Sequence, residues 1–115
     1  LPNGMRLSYP GLHYQAGQFI YKTEREMIRT HGPRITENVV QALARLVITD
    51  QMLEIQALPE VDIVLQVHDE IIAIGSEYNA NATMDKIIEI MRTAPEWCQD
   101  LPLDAEGGVS QVYDK

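Results

Sequence analysis

The chain has 115 residues, of which 45% are hydrophobic, a length typical of one domain with enough apolar content for a modest core. The one cysteine, Cys98, excludes a disulfide framework and fits a reducing compartment, and no apolar run is long enough to span a membrane. Nine Lys and Arg stand against seventeen Asp and Glu, for a net charge of −8. That balance argues against a free-standing duplex binder, whose affinity comes largely from cations placed on phosphates.

The opening "LPNGMRLSYPG" holds an Asn3-Gly4 turn signal, an alternating stretch from Met5 to Tyr9 that reads as a short strand, and a stop at Pro10-Gly11. An N-terminal hairpin is expected here. The chain enters this turn and strand chemistry directly from Leu1, so it is expected to be a piece of a longer protein. Phe19, Ile20 and Tyr21 favour a strand over about 18–23. An irregular connection or short strand should follow, ending at Gly32-Pro33.

The clearest element is a long helix, expected over about 36–57. Thr36 is a good N-cap and Glu37 suits the first turn. Val39, Val40, Leu43, Leu46, Val47 and Leu53 follow the spacing of a core-facing stripe. Next comes "VDIVLQVHDEIIAIG", too long for one ordinary strand of roughly 5–6 residues. Folding it at His68-Asp69 gives two strands, 61–67 and 70–74. A second helix is marked by Met84, Ile87, Ile88 and Met91 at i, i+3, i+4 and i+7, with Asn79, Asn81 or Thr83 as cap and Pro95 as stop. A last short strand is expected at 103–106.

The resulting order predicts an α+β, split βαβ (ferredoxin-like) arrangement in a single domain, residues 1–115. Its antiparallel sheet would carry two main helices on one face, with the N-terminal hairpin in addition.

The turn is unusual. Two-residue hairpins favour Gly or Asn, which tolerate positive φ, whereas here the chain spends His68 and Asp69. Departures of this kind concentrate at functional sites. Asp69 and Glu70, adjacent carboxylates, suit a hard divalent cation. A solvated turn with charged residues is the plain alternative, and "HDE" alone carries little information.

The context carries more. "QVHDEIIAI", preceded by a helix opening "ITENVVQALARLVI", resembles the C-terminal part of family A (polymerase-I-like) DNA polymerases of the bacteriophage type, where the His-Asp-Glu turn is motif C of the palm. The closing "APEWCQDLPLDAEGGVSQVYDK" is similar to the tail of those enzymes, and "LPNGMRLSYPG" to the strand after the fingers. The likeness covers nearly the whole chain, with 12–34 matching least distinctly.

The resemblance implies a part of a template-directed DNA polymerase, a nucleotidyltransferase of DNA replication acting on primer–template DNA and dNTP. It implies two Mg²⁺ (or Mn²⁺) ions in the complete enzyme. Asp69 would be a catalytic, metal-binding carboxylate, Glu70 would support it, and His68 would contact the primer end. Gln41 matches the glutamine that reaches the minor groove, whose acceptors are nearly independent of sequence. Arg45, with Arg34, is a candidate phosphate contact weighed against plain helix-surface arginine. Glu37 stands where many members place an Asn, with Asn38 beside it, so that contact is not carried over. Location would be the cytoplasm of the host cell.

The family's second catalytic aspartate, fingers and thumb have no counterpart in these residues. The piece alone is therefore expected to be inactive, to bind divalent ions and DNA weakly, and to self-associate through apolar surface left uncovered. Alternatives are a non-enzymatic nucleic-acid-binding module, disfavoured by central strands without aromatics, a structural or self-associating split βαβ domain, and a metal-dependent phosphohydrolase, disfavoured by the lack of a His or Cys cluster. His13, His31 and Cys98 receive no role, and Trp97 and Cys98 are expected to pack near the end of the second helix.

Overall fold

The computed structural model describes residues 1–113. The class is α+β, with antiparallel strands and two main helices, as the periodicity predicts. The chain divides into two compact units, Leu1–Leu46 and a second from Val47 onward, and the first helix runs from one into the other.

In the first unit, β1 (His13–Gln15), β2 (Gln18–Lys22) and β3 (Met27–Thr30) form a three-stranded antiparallel sheet in the order β1-β2-β3. Gln15 pairs with Gln18, so Ala16 and Gly17 alone make the first turn. Their φ angles are 52° and 80°, the left-handed pair that a tight hairpin between right-twisted strands requires. Thr23 organises the next turn: its hydroxyl donates to the Glu26 carbonyl at 3.0 Å and accepts from the Glu26 N–H at 3.2 Å.

Residues 5–9 form no strand. The Asn3 side chain accepts from the Met5 N–H at 3.0 Å, a local bond that turns the chain, and Met5 to Tyr9 find no partner strand among the described residues. Tyr9 is held instead by its ring, set edge-on to Tyr21 at 5.1 Å, and by its hydroxyl, which accepts from Asn38 Nδ2 at 2.9 Å.

Helix α1 spans Gly32–Gln56 and begins four residues before the expected N-cap at Thr36. Pro33 falls in the first turn, where its missing N–H has no intrahelical partner to lose. The His31 carbonyl accepts the Ile35 N–H at 3.1 Å, closing the first helical ring. The core stripe differs from the expected one as well. Leu46, Val47, Gln51 and Ile55 are buried, whereas Val39, Val40 and Leu53 are exposed. Gln51 was invisible to an apolar pattern. It is buried because its amide donates to the Met91 carbonyl at 2.9 Å.

In the second unit, β4 (Asp62–Val67) and β5 (Glu70–Ile74) form a two-stranded antiparallel sheet. Gln56 ties the end of α1 to the start of β4, accepting the Ile63 N–H at 2.9 Å and donating to the Val61 carbonyl at 3.3 Å. Helix α2 spans Ala80–Arg92, and its Met84, Ile87, Ile88 and Met91 stripe is half-buried. Gly107 lies against that stripe: a β-carbon there would sit 3.2 Å from Met84 Sδ and 3.4 Å from Ile88 Cδ1. Residues 103–106 form no strand. Arg92 holds them in place, its Nε 2.7 Å from Asp104 Oδ1 and its terminal nitrogen 3.0 Å from the Ala105 carbonyl. Trp97 docks on α1 by donating to Asp50 Oδ2 at 3.1 Å, and Cys98 is half-buried beside it.

Candidate functional site

The two strands of the β4–β5 hairpin read as a plain alternation, but a bulge interrupts it. Ile63 pairs with Ala73 and Leu65 with Ile72, leaving Val64 as the extra residue. Side chains alternate between faces along β5, so the bulge moves Leu65 and Val67 to the face opposite Ile63. Ile63, Gln66, Ile71 and Ala73 share a half-buried face. The other face carries Leu65, Val67, Glu70, Ile72 and Ile74, with Leu65 and Ile74 well exposed.

Val67 then pairs with Glu70, and the turn consists of His68 and Asp69. His68 has φ 53°, the left-handed region; Asp69 does not. Histidine accepts this conformation more readily than a β-branched residue but less readily than glycine, so the turn stores some strain. The Gln66 side-chain amide donates to the His68 carbonyl, bracing the turn from within β4. His68 and Asp69 are exposed, and Glu70, the first residue of β5, is half-buried. One turn thus brings together three of the expected site residues, as the spacing alone requires.

Gln41 and Arg45 lie in the first unit, on α1, both exposed. Gln41 Nε2 donates to Glu37 Oε1 at 3.1 Å, one helical turn back. Glu37 thereby orients the Gln41 amide, while Asn38 is committed to Tyr9. Gln41 also lines a shallow open groove of about 440 Å³ with Leu7, Ser8, Tyr9, Asn38 and Ala42. Sequence reading did not find this groove, because Tyr9 and Asn38 meet across 29 positions.

Asp69 and Glu70 are hard oxygen donors, the right kind for Mg²⁺ or Mn²⁺. In number they do not complete a site: among the described residues no three His, Cys, Asp or Glu side chains gather around a common point. Likewise, no helix among the described residues is long and apolar enough to cross a membrane.

An α+β chain with an exposed imidazole–carboxylate turn between two strands describes a class rather than an identity. Sequence comparison narrows it. The chain is similar to the DNA polymerase of Bacillus phage SP02, 33% identical over 128 aligned positions that cover all of this chain and 19% of that protein. It is thereby related to a phage DNA polymerase, of which it spans about a fifth of the length. No protein-family model matches the chain, and no solved structure matches it.

Proposed function

We propose that the chain is the C-terminal palm segment of a template-directed DNA polymerase of the family A type, with the β4–β5 turn as its motif C. The observation that carries this reading is the His68–Asp69 turn itself. It is a two-residue turn with a left-handed histidine and an exposed carboxylate beside it. Its occurrence in a chain related along its whole length to a phage DNA polymerase supplies the chemical context.

In this reading Asp69 lends a carboxylate to a divalent-ion site completed by residues outside the chain, and Glu70 stands beside it. Bound there, the ions would stabilise the attacking and leaving oxygens of nucleotidyl transfer. His68 contacts the primer end, Gln41 reaches the minor groove of the terminal pair, and Arg45 meets a phosphate. Glu37 holds the Gln41 amide in place. Primer–template DNA and dNTP are the partners of the complete enzyme, which works in the cytoplasm of the host cell. The isolated chain neither polymerises nor holds the ions tightly.

The decisive experiment replaces the matching segment of the phage SP02 polymerase with this chain and follows primer extension. An active chimera should lose at least roughly 10²–10³-fold in rate with Asp69→Asn, comparable to removal of one preorganised charge-stabilising group. An active chimera indifferent to Asp69→Asn overturns the reading, and so does robust extension by the 115-residue chain alone.

A further inference from the structure

The net charge of −8 conceals an uneven distribution. Leu1–Leu46 holds six of the nine Lys and Arg and three of the seventeen Asp and Glu, for a net charge of +3. The remaining residues, with three cations and fourteen carboxylates, carry −11. The register of the three-stranded sheet concentrates the positive charge further. Tyr14, Phe19, Tyr21, Ile28 and Thr30 share one face. The opposite face carries His13, Gln15, Gln18, Ile20, Lys22, Met27 and Arg29, with no carboxylate among them.

On that second face His13, Ile20 and Arg29 form one row across the three strands, and Lys22 and Met27 form the next. His13 and Arg29 are therefore about 10 Å apart, two strand spacings, and Lys22 lies about 7 Å further along. All but Ile20 are exposed. Lys22 and Arg29 have no carboxylate partner among the described residues. His13 Nδ1 lies 2.8 Å from the Gly11 carbonyl and Nε2 lies 3.2 Å from Gln15 Oε1. Only the doubly protonated ring donates to both, and these bonds, the Gly11 carbonyl foremost, raise its pKa above 6.5.

We propose that this face of the β1–β2–β3 sheet, with Lys22 and Arg29 as its cations and His13, Gln15 and Gln18 as further hydrogen-bonding groups, binds the sugar–phosphate backbone of DNA. The arrangement offers spaced donors to a line of phosphates, and contacts to the backbone carry no sequence information of their own. That the polyanion is DNA rests on the polymerase reading above. The charge complementarity does not.

The test is fluorescence anisotropy of the full 115-residue chain with a labelled single-stranded oligonucleotide and a labelled hairpin duplex, over a salt series. The double variant K22Q/R29Q should weaken binding about five- to eightfold per charge removed near 0.1 M salt and reduce the salt slope by about 1.4–1.8. Lys86→Gln, on the acidic unit, should change neither. The two probes show which form of DNA the face prefers. Three results overturn the proposal: no DNA affinity in the wild-type chain, equal affinity in K22Q/R29Q, or an equal loss in Lys86→Gln. Sedimentation showing wild-type self-association that K22Q/R29Q abolishes, without DNA affinity, assigns the face to a second copy and also overturns it. The outcome is separable from that of the chimera: loss of affinity in K22Q/R29Q stands whether or not Asp69→Asn affects extension.

Discussion

Val67 and Glu70 face each other across the β4–β5 pair, so the whole reversal of the chain rests on His68 and Asp69. The first hairpin is built in the same way, with Gln15 facing Gln18 around Ala16 and Gly17. Each turn places a residue other than glycine or asparagine at positive φ, Ala16 at 52° and His68 at 53°. The two differ in what the strained residue offers. Alanine brings no chemistry, and histidine does.

Ala16→Asn should therefore stabilise the chain by about 0.5–1 kcal/mol, because asparagine tolerates the left-handed region better than alanine. A urea titration with an unchanged slope and a higher midpoint checks this. His68→Gly should stabilise to a similar degree, about 0.5–1 kcal/mol, while lowering primer extension by the chimera. A gain in stability with no loss of extension would remove His68 from the site.

Thr30 is 6% exposed, and its hydroxyl has no hydrogen-bond partner among the described residues. Thr30→Val keeps the shape and the β-branching and removes the unsatisfied group. The expected gain is about 1–2 kcal/mol, read as a higher thermal midpoint with the strand content unchanged by circular dichroism.

Gln51 is the opposite case, a buried polar group with its bond made, 2.9 Å from the Met91 carbonyl. Gln51→Leu should cost about 1–3 kcal/mol, since the carbonyl near the end of α2 loses its partner. A neutral result would mean that water satisfies that carbonyl.

Asp104 accepts bonds from the Ala105 N–H and from Arg92, and these, the backbone bond foremost, lower its pKa from 3.8. A depressed folded value means the group favours the folded state above the ordinary carboxylate range and loses that contribution as pH falls through its own pKa. Thermal midpoints taken from about pH 5 to about pH 2 should fall less steeply in Asp104→Asn than in the wild type. Parallel curves would show that the clamp on residues 103–106 does not contribute.

Much of the fold was legible because its signals are local. The β4–β5 reversal follows from a run too long for one strand, and α2 from four residues at helical spacing. The turn residues His68 and Asp69, with Glu70 beside them, adjoin in sequence, so any hairpin there keeps them together. What failed depended on partners. Pro33 reads as a stop and serves as a helix start, because only the register of α1 decides whether its missing N–H matters. Residues 5–9 and 103–106 have strand-like patterns, yet no strand lies beside them among the described residues.

By itself, then, the sequence determined the α+β class, the position of the His68–Asp69 turn and the apolar stripe of α2, since each follows from neighbours along the chain. Only the tertiary structure decided that Gln51 is buried, that Val64 bulges and turns Leu65 outward, and that His13, Lys22 and Arg29 share one face. The physical reason is the same in each case. Burial of a polar group, strand register and sheet face are set by a partner strand or helix, often many residues away, and a pattern read along the chain has no access to that partner.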